Sequence, residues 1–301
     1  MTNIAVSERK FWMGASESAA LFGASPYTTK FELWHQKVGN IEGPDLDNVE
    51  RIMAGQYLEP SIAAWAAAKW GMEIRPVPDY RASPTIAQMG SSLDFETLTG
   101  EPVEIKNVDN LIFRDKWNSD GDTITDAPMH ILVQIQHQLA CPLKDRMTQA
   151  ERSWLIVCVG GNRLYRMEVL RHNAMISRIE QEVKAFWASV KADQAPEPNF
   201  DMDSDAIALL YKGQGVEMLD LTGNDRATAL AAIYLDGLED EKAGRKQKAA
   251  AMAELKTILG DAQAGFMDDG YTIKGSPIKE TSSVKKAHFR FAIRKKKEQT
   301  V

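Results

Sequence analysis

Between Ser153 and Leu170 the sequence reads SWLIVCVGGNRLYRMEVL, two β-rich runs on either side of Gly160, Gly161 and Asn162. Residues of those types supply the backbone conformations of a tight reversal, so the runs are expected to pair as an antiparallel hairpin. Helical patterns stand on both sides of it. PMHILVQIQHQLAC, residues 128–141, reads as a helix introduced by Pro128. Downstream, Ile176, Ile179, Val183, Phe186 and Val190 recur at the spacing of one helix face. A β-hairpin set among amphipathic helices points to a mixed α/β domain.

The N-terminal third extends the pattern. Ala15 to Gly23 reads as a short helix, followed by the turn ASPY. Thr29 and Glu32 then stand in capping-box spacing ahead of a helix that Gly39 stops. Met53, Leu58, Ile62, Trp65 and Ala66 mark one face of a longer helix ending near Gly71. IAQMGSSLDF and EPVEIKNV, flanking Gly100, read as two strands of a second hairpin. Past the Pro-containing stretch between about Ala195 and Asp205 the composition shifts. A core over residues 1–198 and an extension over 199–301 are therefore expected. Asp225 to Leu259 is rich in Ala, Leu, Lys and Glu and should be helical, weakened at Gly237 and Gly244. Short strands and a basic end should follow.

Composition narrows the class. The chain has 301 residues, 44% of them hydrophobic and 26% charged, enough to bury a core without staples. Cys141 and Cys158, the two cysteines, sit in apolar stretches without C-x-x-C spacing and read as reduced core residues. No apolar signal core opens the sequence, and no stretch approaches the roughly 20 apolar residues of a membrane span. A cytoplasmic protein without a membrane partner is expected. A net charge of −6 argues against coating nucleic acid through bulk positive charge. It leaves room for a metal site, which is itself built from carboxylates.

The string carrying chemistry is GSSLDFETLTGEPVEIKNV, residues 90–108, with Asp94, a turn, Glu104, one apolar residue and Lys106. Strand side chains alternate, so Glu104 and Lys106 share one side of their strand. Phosphodiester cleavage needs carboxylates converging on divalent metal, which Asp94 and Glu104 supply. Lys106 would orient or deprotonate the attacking water, or stabilise charge on the scissile phosphate. An isolated E-x-K spacing, by contrast, is usually an ordinary surface hairpin. Trp12, Trp34, Trp65, Trp70 and Trp187 lie in apolar helical patterns and read as core. The five histidines show no zinc spacing, and no phosphate-binding Walker loop is present.

Several motifs in order, GASESAALFGASPYTTKFELWHQKVG, GQYLEP, the Asp94 to Lys106 string, VQIQHQLAC and FWASV, resemble the YqaJ-type viral recombinase and lambda-type phage exonuclease family of the PD-(D/E)XK nuclease superfamily. The resemblance runs through most of residues 9–198. It implies a restriction-endonuclease-like core, a mixed sheet flanked by helices, with a C-terminal α-rich extension. Asp94, Glu104, the Ile105 carbonyl and Glu59 become metal ligands, for Mg²⁺ with Mn²⁺ as a substitute. Lys106 becomes the catalytic lysine, and Gln134 an active-site glutamine. A single helix cannot aim Gln134, Gln136 and Gln138 at one point, which leaves the last two open.

The same resemblance places Arg9, Ser16 and Ser92 in a pocket for a terminal 5′-phosphate, and Arg114 and Lys116 near DNA phosphate. Ser16 also stands where it would cap the short helix, and Glu59 where it would be a solvated helix residue. The activity implied is 5′-to-3′ degradation of one strand of linear duplex DNA to mononucleotides, leaving 3′ overhangs for phage-type recombination. A ring-shaped homotrimer, a single-strand annealing partner and a phage or prophage setting in a bacterial host go with it. A same-fold endonuclease or repair nuclease, and a non-catalytic DNA-binding scaffold, are the rival readings. The basic cluster from Lys285 to Lys297 would track DNA, dock a partner or lie solvated.

Overall fold

A computed structural model of the chain describes residues 8, 11–45, 48–142, 149–211, 218–268 and 272–274. A 3-10 helix, Ala15–Phe22, ends at Gly23 in the left-handed region, φ +64°. Helix α1, Lys30–Val38, starts where the Thr29 side chain accepts from the Glu32 N–H and stops at left-handed Gly39. These are the start and stop residues read from the sequence. The longer helix α2 spans Glu50–Trp70. Of its expected face only Ile62 and Ala66 are buried, joined by Ala63, whereas Met53, Leu58 and Trp65 are exposed. Packing accounts for the difference: only the part of α2 beyond Pro60 lies against the sheet.

Strands β1 (Ile74–Pro76), β2 (Arg81–Ala82), β3 (Gly90–Ser91), β4 (Phe95–Thr97) and β5 (Pro102–Val108) follow. The hairpin expected around Gly100 is β4–β5, antiparallel. Its first arm is much shorter than IAQMGSSLDF suggested, because Gly90 and Ser91 pair with β2 in a separate two-stranded sheet. Gly90 has to be glycine there, since a Cβ would stand 2.3 Å from the Tyr80 ring and 2.8 Å from the Arg81 carbonyl.

Helix α3 (Asn110–Lys116), strands β6 (Asn118–Asp120) and β7 (Thr123–Asp126), and helix α4 (Met129–Ala140) lead to β8 (Arg152–Val159) and β9 (Arg163–Leu170). The last two are the hairpin read from SWLIVCVGGNRLYRMEVL, turning at Gly160 and Gly161 with φ +59° and +72°. Helices α5 (Asn173–Lys191) and α6 (Ser204–Leu210) complete this part. The main sheet has seven strands in the order β1-β4-β5-β8-β9-β7-β6, with β5 parallel to β8 and β7 parallel to β9.

Period-two alternation divides the sheet between two cores. Leu155, Val157 and Val159 of β8 enter a cluster with residues of the 3-10 helix, α1, α4 and α5. Ile156 and Cys158 point the other way, against Ile62, Ala63 and Ala66 of α2. A strand covered on both faces is apolar throughout, which is why LIVCV lacks polar alternation. Both cysteines are free and buried. Trp34 is core as expected, whereas Trp65 is 40% exposed.

The chain divides into two units after Tyr211. The first passes residue 198 because Asp203, 1% exposed, accepts a hydrogen bond from the Thr29 hydroxyl, and Ala206 packs with Phe31 and Ile41. The second holds α7, Asp225–Leu259, with the bounds read from composition, and the pair β10 (Ala264–Phe266) and β11 (Thr272–Lys274). No residue of α7 is buried. The basic cluster from Lys285 to Lys297 lies outside the described residues. Among the described residues no helix is long and apolar enough to cross a membrane.

Phe186, fully buried on α5, tests the larger core. Phe186→Ala should lower the unfolding free energy by about 3–5 kcal/mol, the loss typical of a truncated core aromatic. A urea titration should show the lower midpoint at unchanged slope.

Candidate functional site

Glu104 sits in the middle of β5, and only 2% of its surface is exposed. Its Oε1 accepts from the Gln134 amide at 2.6 Å and from the Lys106 ammonium, and its Oε2 accepts from the Gln138 amide at 2.5 Å. Strand alternation puts Glu104 and Lys106 on the side that faces α4. Helical spacing brings Gln134 and Gln138, four residues apart, onto the facing stripe of α4. Gln136 points elsewhere: it donates to the Leu170 carbonyl at 2.8 Å and accepts from the His172 N–H at 2.9 Å.

Asp94 reaches the same strand from the segment before β4. Its Oδ2 accepts from the Ile105 N–H at 3.0 Å, so the carboxylate is held one residue from Glu104. Burial and the Glu104 charge push its pKa up to about 8, against the opposing pull of the Ile105 N–H and of Lys106. Burial acts to lower the Lys106 pKa, but Glu104, Asp94 and Glu59 outweigh it and hold the ammonium above its ordinary value. About a third of the Lys106 side chain remains exposed.

Glu59, on α2, joins the site electrostatically. Its pKa is raised by burial and by Glu104, and Lys106 opposes the rise. Glu59, Ile105 and Lys106 line one open cleft of about 480 Å³ with Arg51, Asn107 and the Gly160–Gly161 turn. That environment replaces the solvated helix glutamate as the reading of Glu59.

The donor set fits a hard divalent cation. Carboxylate oxygens of Asp94 and Glu104 and the Ile105 backbone are all oxygen donors, without thiolate or imidazole. Among the described residues no three Asp, Glu, His or Cys side chains converge closely enough to form a cage. An ion here would rest on two carboxylates completed by backbone and solvent oxygen, with Glu59 in the outer field.

Two of the three residues expected in a phosphate pocket fall among the described residues. Ser16, on the 3-10 helix, and Ser92 are both exposed. Their segments run side by side, because Met13 bridges to Met89 and the Gly90 N–H donates to the Met13 carbonyl at 3.1 Å. Ser16 does not cap its helix; Gly14 holds the cap position, and its N–H donates to Glu17 at 2.8 Å. Arg9 lies outside the described residues. Arg114 and Lys116 are exposed on α3, with Arg114 paired to Asp115 at 3.0 Å.

Of two further contributors, one is left open by the sequence and one carries no signal in it. Gln138 was legible as the residue one helical turn beyond Gln134. His137 carried no signal, having been read only for zinc spacing. Fully buried, it bonds the Ser18 hydroxyl through Nδ1 and the Gly90 carbonyl, at 3.1 Å, through Nε2. Burial lowers its pKa to about 4, so it stays neutral while it ties the 3-10 helix and β3 to α4.

Residues 6–151 match the model of the YqaJ-like viral recombinase domain. An uncharacterised protein, YqaJ, of Bacillus subtilis (strain 168) is 23% identical over 271 residues, covering 86% of this chain and 79% of that protein. An alkaline exonuclease from Laribacter hongkongensis, LHK-Exo, is 21% identical with a TM-score of 0.47, over 62% of this chain and 91% of its own. Its complex with dAMP gives 21% and 0.46, over 67% and 96%.

The Asp94 shift has a pH consequence. A carboxyl whose folded pKa is raised contributes stability below its unfolded pKa and loses it as pH rises through the folded value. Without divalent cation, the wild type should therefore lose stability relative to Asp94→Asn from about pH 4 to about pH 8. Urea unfolding of both proteins in chelator, at about pH 6 and about pH 9, should show the gap moving in favour of the variant.

Proposed function

We propose that the chain, whose residues 6–151 match the model of the YqaJ-like viral recombinase domain, is a metal-dependent nuclease acting on DNA. The observation that carries the reading is the convergence of Asp94, Glu104 and Lys106 at β5, with both Glu104 oxygens held by Gln134, Gln138 and Lys106.

Mg²⁺, or Mn²⁺ in its place, would be held by Asp94, Glu104 and the Ile105 carbonyl. Such an ion neutralises charge on the scissile phosphate and lowers the pKa of a bound water. Gln134 and Gln138 keep Glu104 aimed. Lys106, cationic and part-exposed at the cleft, orients the water or meets the charge developing on the phosphate. Glu59 adds negative field from α2 in the same cleft.

The finer reading is a 5′-to-3′ exonuclease on linear duplex ends, releasing mononucleotides and leaving 3′ overhangs for phage-type recombination. Arg9, Ser16 and Ser92 form the terminal phosphate pocket in this reading, and Arg114 and Lys116 contact the backbone. A homotrimeric ring would retain DNA by topology rather than by tight binding, and a single-strand annealing protein would take the overhang. The setting is the cytoplasm of a bacterial host carrying the phage or prophage.

Linear duplexes labelled at the 5′ or 3′ end, with a closed circle beside them, test the proposal in Mg²⁺. Mononucleotide should appear first from the 5′ label, and the circle should stay intact. Cutting of the circle would make the chain an endonuclease of the same fold; binding without hydrolysis would make it a scaffold. Glu104→Gln and Lys106→Ala should each slow release by about a hundredfold to ten-thousandfold. Wild-type rates in either variant would remove the assigned centre.

A further inference from the structure

His130, Gln134 and Gln138 are spaced by four residues and share one stripe of α4. The two glutamines end on Glu104. His130 is therefore the next residue outward on the wall leading to the site, about 6 Å along the helix from Gln134. It is half-buried, and its pKa is lowered by burial and then by Lys106 and Lys116. Burial and the positive charges of Lys106 and Lys116 thus act in the same direction on the imidazole, against its protonated form.

Tyr27 meets that imidazole edge to face, with ring centroids 5.8 Å apart and planes at 89°. Yet the tyrosine is 80% exposed, so most of its ring is in solvent. Its loop is nonetheless fixed. The buried Ser25 hydroxyl accepts from the Tyr27 and Thr28 N–H groups at 3.2 and 3.3 Å, and Thr29 begins α1 directly afterwards. An exposed aromatic on a hydrogen-bonded loop, beside a second ring in the field of two lysines, has the make-up of a surface for nucleobases. Tyr57 offers a contrast: it is 78% exposed on α2 but lies half a turn from Arg51, Gly55 and Glu59, which line the cleft.

We propose that Tyr27 and His130 form the stacking platform for the base beside the scissile phosphate. This inference rests on the nuclease reading for its substrate and adds the group that positions that substrate's terminal nucleotide. Phosphate contacts are indifferent to the base, whereas a platform requires one. Replacing the terminal base by an abasic residue should therefore remove the same interaction as removing Tyr27.

The test is a cycle of two changes, one in the protein and one in the DNA. Binding of the full chain to dye-labelled linear duplex is read by fluorescence anisotropy in Mg²⁺, with Lys106→Ala present throughout so that ends stay uncut. Tyr27→Ala should weaken binding to an intact end by about tenfold, the scale of one base–aromatic stack. It should change binding to an abasic end by less than about twofold. Tyr27→Phe should match the parent, His130→Ala should show the same end dependence as Tyr27→Ala, and Tyr57→Ala should change nothing. Equal losses on intact and abasic ends, or loss in Tyr27→Phe, would overturn the platform. Failure of the unsubstituted protein to cleave would instead sink the nuclease reading, and the binding cycle would still decide the platform.

Discussion

Glu104 is a charge placed where a soluble domain least readily keeps one, on a central strand with 2% of its surface exposed. A buried carboxylate without partners would cost several kcal/mol or take up a proton. Three donors offset that desolvation at Glu104: the Gln134 and Gln138 amides and the Lys106 ammonium. Two of them are neutral. Amides satisfy the oxygens without cancelling the charge, so the carboxylate remains an attractor for a cation. Lysines at both helix positions would have met the same hydrogen-bond demand and offset the charge of the carboxylates that attract a cation.

The rest of the unit follows from holding that strand and helix in register. β5 is fixed by β8, parallel over six residue pairs from Val103 to Val108, and by Asp94 on the Ile105 N–H. α4 is fixed by His137, whose two ring nitrogens reach the 3-10 helix and β3, and by Gln136, which bonds both the β9 end and the start of α5. Four polar residues within little more than one turn of this helix therefore serve two purposes. Even positions 134 and 138 face the chemistry, whereas 136 and 137 anchor the helix that carries them.

Much of this was legible. Start and stop residues of α1, the β8–β9 turn, the α5 face and the bounds of α7 follow from local rules that need no tertiary knowledge. Glu104 and Lys106 share a side because strands alternate, and the resemblance attached Asp94, Glu59 and Gln134 to them. What escaped depends on partners distant in sequence. The hairpin β6–β7 is a polar edge, NSDGDTITD, without the apolar alternation that marks a strand, and α3 has only seven residues behind its Asp109 cap. His137 looked idle because its partners Ser18 and Gly90 are far along the chain. Three of the five residues expected on the α2 face are exposed because periodicity identifies a stripe but not how much of it meets a sheet.

Gln138 shows which demand wins when they conflict. Its Nε2 is turned to Glu104, and its buried Oε1 finds no protein partner. A buried acceptor left in that state costs about 1–3 kcal/mol. Turning the amide over would relieve that oxygen only by aiming it at a carboxylate oxygen, with like partial charges in contact in a dry interior. The orientation seen is thus imposed by the Glu104 anion rather than by local packing. One glutamine amide thus leaves its own oxygen unpaired in order to donate to Glu104, so holding that carboxyl in place outranks satisfying the helix residue that holds it.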